Sequence, residues 1–236
     1  MSEVTIKNTP VVVHLETTLQ STDINVNSVS VNVSNQFPEN PIFNSIVVGD
    51  ATNNVSIDEN GIEFNGTARY INEIHLPATA AHRLGYSDPN STQLENNGAG
   101  SVGIYAPSFS ANQLNELQVS ESLPDKYVEG SSIELYMRLY PESNNDGVVL
   151  IDVEYGFCNV GDTIAHSNLV QVPIIIPANS IKKHLNFLLL TIPGTSIKPC
   201  AGFGIRIARR GDLSGDTHNA DIWITRFIVK HLANKQ

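Results

Sequence analysis

The stretch that decides the fold is Ser131–Phe157, SSIELYMRLYPESNNDGVVLIDVEYGF. Ile133, Leu135, Met137 and Leu139 share one parity, with Glu134, Tyr136, Arg138 and Tyr140 on the other. After the turn-rich segment Pro141–Gly147, Val149, Ile151, Val153, Tyr155 and Phe157 share a face opposite Asp152 and Glu154. A period of two held through both arms is the pattern of strands that bury one face, and the turn between them predicts that the arms pair antiparallel. No residue type in the stretch stands in a pattern that chemistry requires, which directs the reading toward a scaffold or interaction protein.

The rest of the composition fits. Val, Ile and Thr, which suit pleated half-buried surfaces, are abundant, and few stretches offer the Ala/Leu/Glu/Lys mixture of long helices. The net charge of −10 is uneven: residues 1–130 carry 15 acidic and 4 basic residues (−11), and residues 131–236 carry 9 and 10 (+1). An acidic first half repels nucleic acid. Arg206, Arg209 and Arg210 are the only basic concentration. Alternation puts Arg206 and Arg210 on one face and Arg209 on the other, as at a solvated strand end rather than in a phosphate track. Cys158 and Cys200 lack metal-ligand spacing and read as free thiols buried as small apolar residues, with a disulfide between them as the alternative. The N-terminal segment lacks the basic start and apolar core of a secretion signal, and runs such as Phe187–Ile192 are too short to span a bilayer. The expectation is a soluble chain that folds in a cytoplasm, with no membrane or nucleic-acid partner.

Along the chain, three regions are expected. Residues 1–40 hold a thin alternating pattern, with Val11, Val13, Ile24, Val26, Val29, Val31 and Val33 as its apolar positions. These are too few for a core, so the segment reads as an extended arm that anchors to, or adds a strand to, a neighbouring subunit; an edge strand of the chain's own fold, or a tail, are the alternatives. Residues 41–122 hold a small β-meander (Ile42–Val48, Val55–Ile57, Ile62–Phe64, with an Asn60-Gly61 turn) and then long loops. Pro77 to Gly85 is expected to form a helix of one or two turns, and 86–112 a loop. Residues 123–236 are expected to form an antiparallel, jelly-roll-like β-sandwich, adding the strands Asn168–Ile176, His184–Ile192, Ala201–Arg209 and Ala220–His231, with a strand or two from 86–130 completing the eight of a jelly roll. The apolar run Phe187–Ile192 predicts a strand buried on both sides, with a partner subunit as what covers the second, and Trp223, Phe227 and Val229 are placed on one face. The fold class is all-β.

Chemistry is scarce. The seven histidines show no ligand spacing and read as surface or capping residues, and no nucleophile elbow or phosphate loop is present. Asp212–Asp216 with His218 and Asp221 clusters oxygen ligands, but Thr217 and Trp223 stand where a calcium loop of the EF-hand kind needs Gly and Glu. Asp152 and Glu154, about 7 Å apart on one strand face, are the weak candidates for a paired-carboxylate hydrolase. Tyr136 and Tyr140, outward on their strand, are candidate surface contacts. No cofactor, metal or catalytic residue is assigned.

Gly66–Pro77 (GTARYINEIHLP), His82–Gly85, Leu123–Pro141, Val153–Phe157 and Ser214–His231 together resemble virion structural proteins of tailed bacteriophages, whose C-terminal half is a jelly-roll-like sandwich. The likeness is an order of strands and turns over roughly residues 60–232. It departs from the family where members often carry Trp-Asp-Asp, near Tyr70–Glu73, and a His-rich strand, near Leu135–Tyr140. The resemblance implies a homotrimeric virion component of the head-fibre, head-decoration or tail-accessory type, with major capsid or other virion proteins as partners, assembled in the host cytoplasm. The leading expectation is therefore a non-enzymatic virion protein anchored through residues 1–40. The alternative is a tail-associated or host-surface module that binds a glycan.

Overall fold

A computed structural model describes residues 25–26, 45–58, 61–66, 69–83, 89–94, 104–163 and 167–234. The chain forms two compact units, Met1–Ile71 with Ala233–Gln236, and Asn72–Leu232.

The first unit is a four-stranded sheet in the order β1 (Asn25–Val26), β2 (Ser45–Gly49), β3 (Asn54–Asp58), β4 (Gly61–Phe64), close to the expected meander. The β2–β3 turn is set by Asp50, whose carboxylate accepts the N–H groups of Thr52 and Asn53 at 2.8 and 2.6 Å. A short polar side chain thereby does the work of a backbone turn. Of the expected arm, Asn25 and Val26 pair in parallel with Val47 and Val48 of the chain's own sheet. Val11, Val13, Ile24, Val29, Val31 and Val33 lie outside the described residues.

The second unit is an antiparallel β-sandwich with jelly-roll connectivity. Its eight main strands are β8 (Ile104–Phe109), β9 (Leu114–Ser122), β10 (Ile133–Pro141), β11 (Gly147–Cys158), β12 (Asn168–Ile176), β13 (Leu185–Ile192), β14 (Gly202–Arg210) and β15 (Ile222–Ala233). One sheet runs β13-β10-β15-β8 and the other β12-β11-β14-β9. Every step along the chain crosses between the sheets except the β11–β12 hairpin, which is how a jelly roll wraps its core. β9, which pairs with β14 from Leu114 to Ser122, is part of this sandwich although it precedes residue 123.

The inward parity is as expected for β10, where Ile133, Leu135, Met137 and Leu139 are buried, and for Val149, Ile151 and Val153 of β11. They meet Leu117, Ile174, Ile205, Ile207, Phe227 and Val229 in one core. Burying a side chain of this size contributes about 1.5–3 kcal/mol, so this layer holds the sandwich closed.

Several local expectations are corrected. β10 and β11 do not pair with each other. β10 lies between β13 and β15, and β11 between β12 and β14, so Pro141–Gly147 is a crossover that sets the two apolar faces against each other. Phe187–Ile192 is not buried on both sides in its own chain. A bulge opposite Leu135/Tyr136 inserts Leu189, so Leu189 and Leu190 both touch the core while Leu188 stays exposed. A second bulge opposite Arg138/Leu139 inserts Thr225 and reverses the parity of β15. Phe227 and Val229 join the main core, while Trp223 packs on the outer face with Ala106 and Tyr140. One extra residue swaps every later side chain to the other face.

Pro77–Gly85 is a single 3-10 turn, Ala78–Ala80, after β5 (Tyr70–Pro77). It ends because β6 (His82–Arg83) is captured by pairing with Gln118 and Leu117; Gly85 lies outside the described residues. The expected loop 86–112 contains β8 and β7 (Asn90–Leu94), which pair with each other, and β8 also pairs with Ile222 and Trp223.

Candidate functional site

Arg209 and the carboxylates of the Gly211–Asp221 loop are structural. Arg209 is fully buried between the sheets, and all of its donor nitrogens are used. Nε and one terminal nitrogen grip Asp216 at 3.0 and 2.7 Å, and the carbonyls of Phe109, Ala220 and His218 accept the remaining bonds at 3.1, 2.8 and 2.6 Å. The expected solvated strand end is thus a buried tie that fastens the Gly211–Asp221 loop to the body. Asp216 also accepts the Leu150 N–H at 3.1 Å, and Asp212 is held by Arg210 at 2.9 Å. The loop's carboxylates therefore serve the fold, and no group of three metal-ligating side chains exists among the described residues.

Histidine and cysteine differ from expectation as well. His218 and His231 are buried, not surface residues. Both ring nitrogens of His218 lack a hydrogen-bond partner, and burial first, then Arg209, holds its pKa below the ordinary imidazole value against the opposing pull of Asp216. Cys158 and Cys200 are free thiols, half-exposed and exposed respectively rather than buried.

Asp152 and Glu154 do share the outer face of β11, yet neither is positioned as an acid. Asp152 is buried and bound by Arg210 at 2.9 Å and by the Gln171 amide at 2.8 Å. Glu154 lies directly opposite Arg206, which bridges it to Glu116 at 2.6 and 2.5 Å. The Ser167 hydroxyl, first, and Arg206 hold the Glu154 pKa below the usual carboxylate range. Retaining a proton on one of a pair requires the opposite shift.

Tyr136 and Tyr140 face outward and are half-buried. The Tyr136 hydroxyl donates to Glu134 at 2.9 Å and Lys230 Nζ sits 4.8 Å from its ring centroid. Tyr140 stacks on His184 with centroids 4.9 Å apart.

One surface that offers room among the described residues was missed in the sequence. On the outer face of the β12-β11-β14-β9 sheet, a groove of about 500 Å³ runs along β11 and β14 beside β9. Its floor includes Gly156, Gly202 and Gly204, its β9 side Gln118 and Ser120, and its end Glu154 and Arg206. The readable signal was the parity of Gly156 and of Gly202-Phe-Gly204 within strands, because glycine in a strand marks a bend or a close approach.

Elsewhere, exposed apolar side chains follow one edge of the sandwich. β12 ends one sheet and β13 the other, joined through residues 177–184. Ile175, Leu169 and Leu188 on these strands are 71%, 61% and 46% exposed, and Ile181 between them is exposed too.

The fold defines the chain as an all-β, jelly-roll-like protein. No family model matches it, and no curated relative is found by sequence. Among solved structures it is similar to the CBM36-1 domain of a multidomain xylanase from the hindgut metagenome of Trinervitermes trinervoides, at 10% identity over 67% of this chain and 96% of that one, TM-score 0.37. It is also similar to a family 35 carbohydrate-binding module from Clostridium thermocellum, at 11% identity over 66% and 97%, TM-score 0.37. A third likeness is to the VP2 subviral particle of infectious bursal disease virus, at 13% identity over 75% and 36%, TM-score 0.35.

Proposed function

We propose that this chain is a non-enzymatic structural component of a tailed-bacteriophage virion, a capsid-decoration or head-fibre protein that associates with copies of itself through its sandwich and with the particle through residues 1–40. The observation that carries the reading is the β12/β13 edge. Two sheets end there with no described strand beyond them, and Leu169, Ile175, Ile181 and Leu188 are presented to solvent.

Natural sheets guard such edges with lysines, bulges or prolines, because unpaired backbone and apolar side chains attract another chain. Here the guards are partial, one Pro173 in β12 and one bulge in β13, while the apolar side chains remain. An exposed patch of this kind marks a protein contact. The sequence likeness over residues 60–232 supports the virion assignment.

Deleting residues 1–40 tests the assignment. The truncated protein is expected to remain folded and self-associated while failing to join particles during assembly. Incorporation at full occupancy contradicts the anchor.

A further inference from the structure

Gly156 of β11 lies directly opposite Gly204 of β14, and Gly202 follows two residues along, opposite Cys158, so three glycines form one patch on the outer face. None of the three has a left-handed backbone. A methyl group on Gly204 would meet no atom within 4 Å, and one on Gly156 or Gly202 would meet a single atom at 3.9 Å. Neither dihedral angle nor packing requires glycine at these positions, and glycine weakens a strand by its freedom in the unfolded chain. Three at adjacent register positions leave the peptide planes bare, the arrangement a strand shows where something approaches its backbone closely.

The groove above this floor suits one class of occupant. About 500 Å³ falls within the range of about 300–1,000 Å³ typical of small-ligand sites. The bare peptide planes form a flat, weakly polar surface that fits the C–H face of a sugar ring. Around it stand groups matched to hydroxyls. The Gln118 amide and Ser120 hydroxyl make no side-chain hydrogen bond among the described residues, and Glu154 presents a carboxylate fixed by Ser167 and Arg206. The charges in the lining are Glu121 and Glu154 against Arg206, and Arg206 is already bound to two carboxylates, so an anionic ligand meets no free cation.

We propose that the glycine-floored groove of the β11–β14 face is a binding site for a neutral saccharide, its ring lying on Gly156, Gly202 and Gly204 and its hydroxyls bonded to Gln118, Ser120 and Glu154. The proposal stands apart from the edge contact and does not depend on the virion assignment. A chain with such a site holds on to a surface glycan without altering it.

Saturation-transfer NMR of the full chain with a panel of neutral di- to tetrasaccharides of glucose, galactose, mannose and xylose tests it. At least one is expected to receive transfer at its ring protons. In Gly204→Leu, whose Cβ meets no atom within 4 Å and whose side chain extends over the groove floor, its affinity falls by at least about tenfold with an unchanged melting temperature. Gln118→Ala is expected to weaken the same saccharide while leaving the fold intact. The proposal is overturned if no member of the panel binds, if Gly204→Leu binds as well as the wild type, or if acidic oligosaccharides bind in preference. It is also overturned if Gly204→Leu changes the mass of the assembly and no saccharide binds, since the floor then belongs to a protein contact.

Discussion

Arg209 and Asp216 form a bidentate ion pair in which neither side chain is exposed to solvent, with nitrogen–oxygen distances of 3.0 and 2.7 Å. Such a pair is a poor source of net stability but a costly one to halve, because the remaining charge is left buried. Asp216→Ala or Arg209→Met is expected to destabilise the second unit by about 3–5 kcal/mol in urea unfolding. The double substitution Arg209→Met with Asp216→Leu should recover only part of this, since the carbonyls of Phe109, Ala220 and His218 lose their donor. Single variants within 1 kcal/mol of wild type, a rough threshold, would contradict the tie.

Acid should weaken the protein in two steps. His218, His231 and His184 all have pKa values held below the ordinary imidazole value, in each case by burial first, reinforced by Arg209, by Lys126, and by Arg138 with Arg226 respectively. The unfolded chain therefore binds more protons than the folded one just below about pH 6.5, and stability falls as pH drops through that value. Glu154, Asp212 and Glu73, whose pKa values are lowered by the Ser167 hydroxyl, by Arg210 and by Lys230, contribute stability that is lost only below about pH 4. Melting temperature measured against pH should show both declines, with His218→Leu flattening the upper one. A curve level between about pH 7 and 5 is the opposing result.

Two glycines should respond oppositely to alanine. A Cβ on Gly194 would sit 1.8 Å from the Ser131 carbonyl oxygen and 2.4 Å from the Tyr127 hydroxyl, which themselves bond at 2.5 Å. Gly194→Ala is expected to cost about 1–3 kcal/mol, the usual range for forced overpacking. Gly204→Ala meets nothing and should leave stability unchanged or raise it by up to about 1 kcal/mol. Chemical denaturation of the two variants side by side separates a glycine the fold needs from one it does not.

Phe227 is fully buried at the centre of the sandwich, so Phe227→Ala should destabilise by about 3–5 kcal/mol. Trp223, buried instead on the outer face with Ala106 and Tyr140, should report that face by its fluorescence. A Trp223 emission shift caused by Leu135→Ala but not by Tyr140→Ala would contradict the reversal at Thr225.

Much of the architecture was legible in residue parity. Ile133 to Leu139 and Val149 to Val153 announced their buried faces, and the strands after Asn168 followed from the turns between apolar runs. Parity says which side of a strand is inward but not which strand lies beside it, so it pairs β10 with β11 although they face each other across the core. Thr225 and Leu189 bulge for reasons set by register with β10, which no local pattern records. Arg209 looked solvated because its burial depends on Asp216 and three carbonyls brought in by a loop. The groove was hidden for a related reason: Gly156 and Gly202–Gly204 are far apart in the chain and become one surface only when β11 pairs with β14.

Assembly through the β12/β13 edge is tested by the solution mass of the full chain from size-exclusion chromatography with light scattering. The expected result is a multiple of the 25.7 kDa chain mass, reduced to a single chain by Ile175→Asp with Leu188→Asp, two exposed positions whose change leaves the core untouched. A wild-type protein that elutes as one chain, or an assembly that survives both substitutions unchanged, would contradict it.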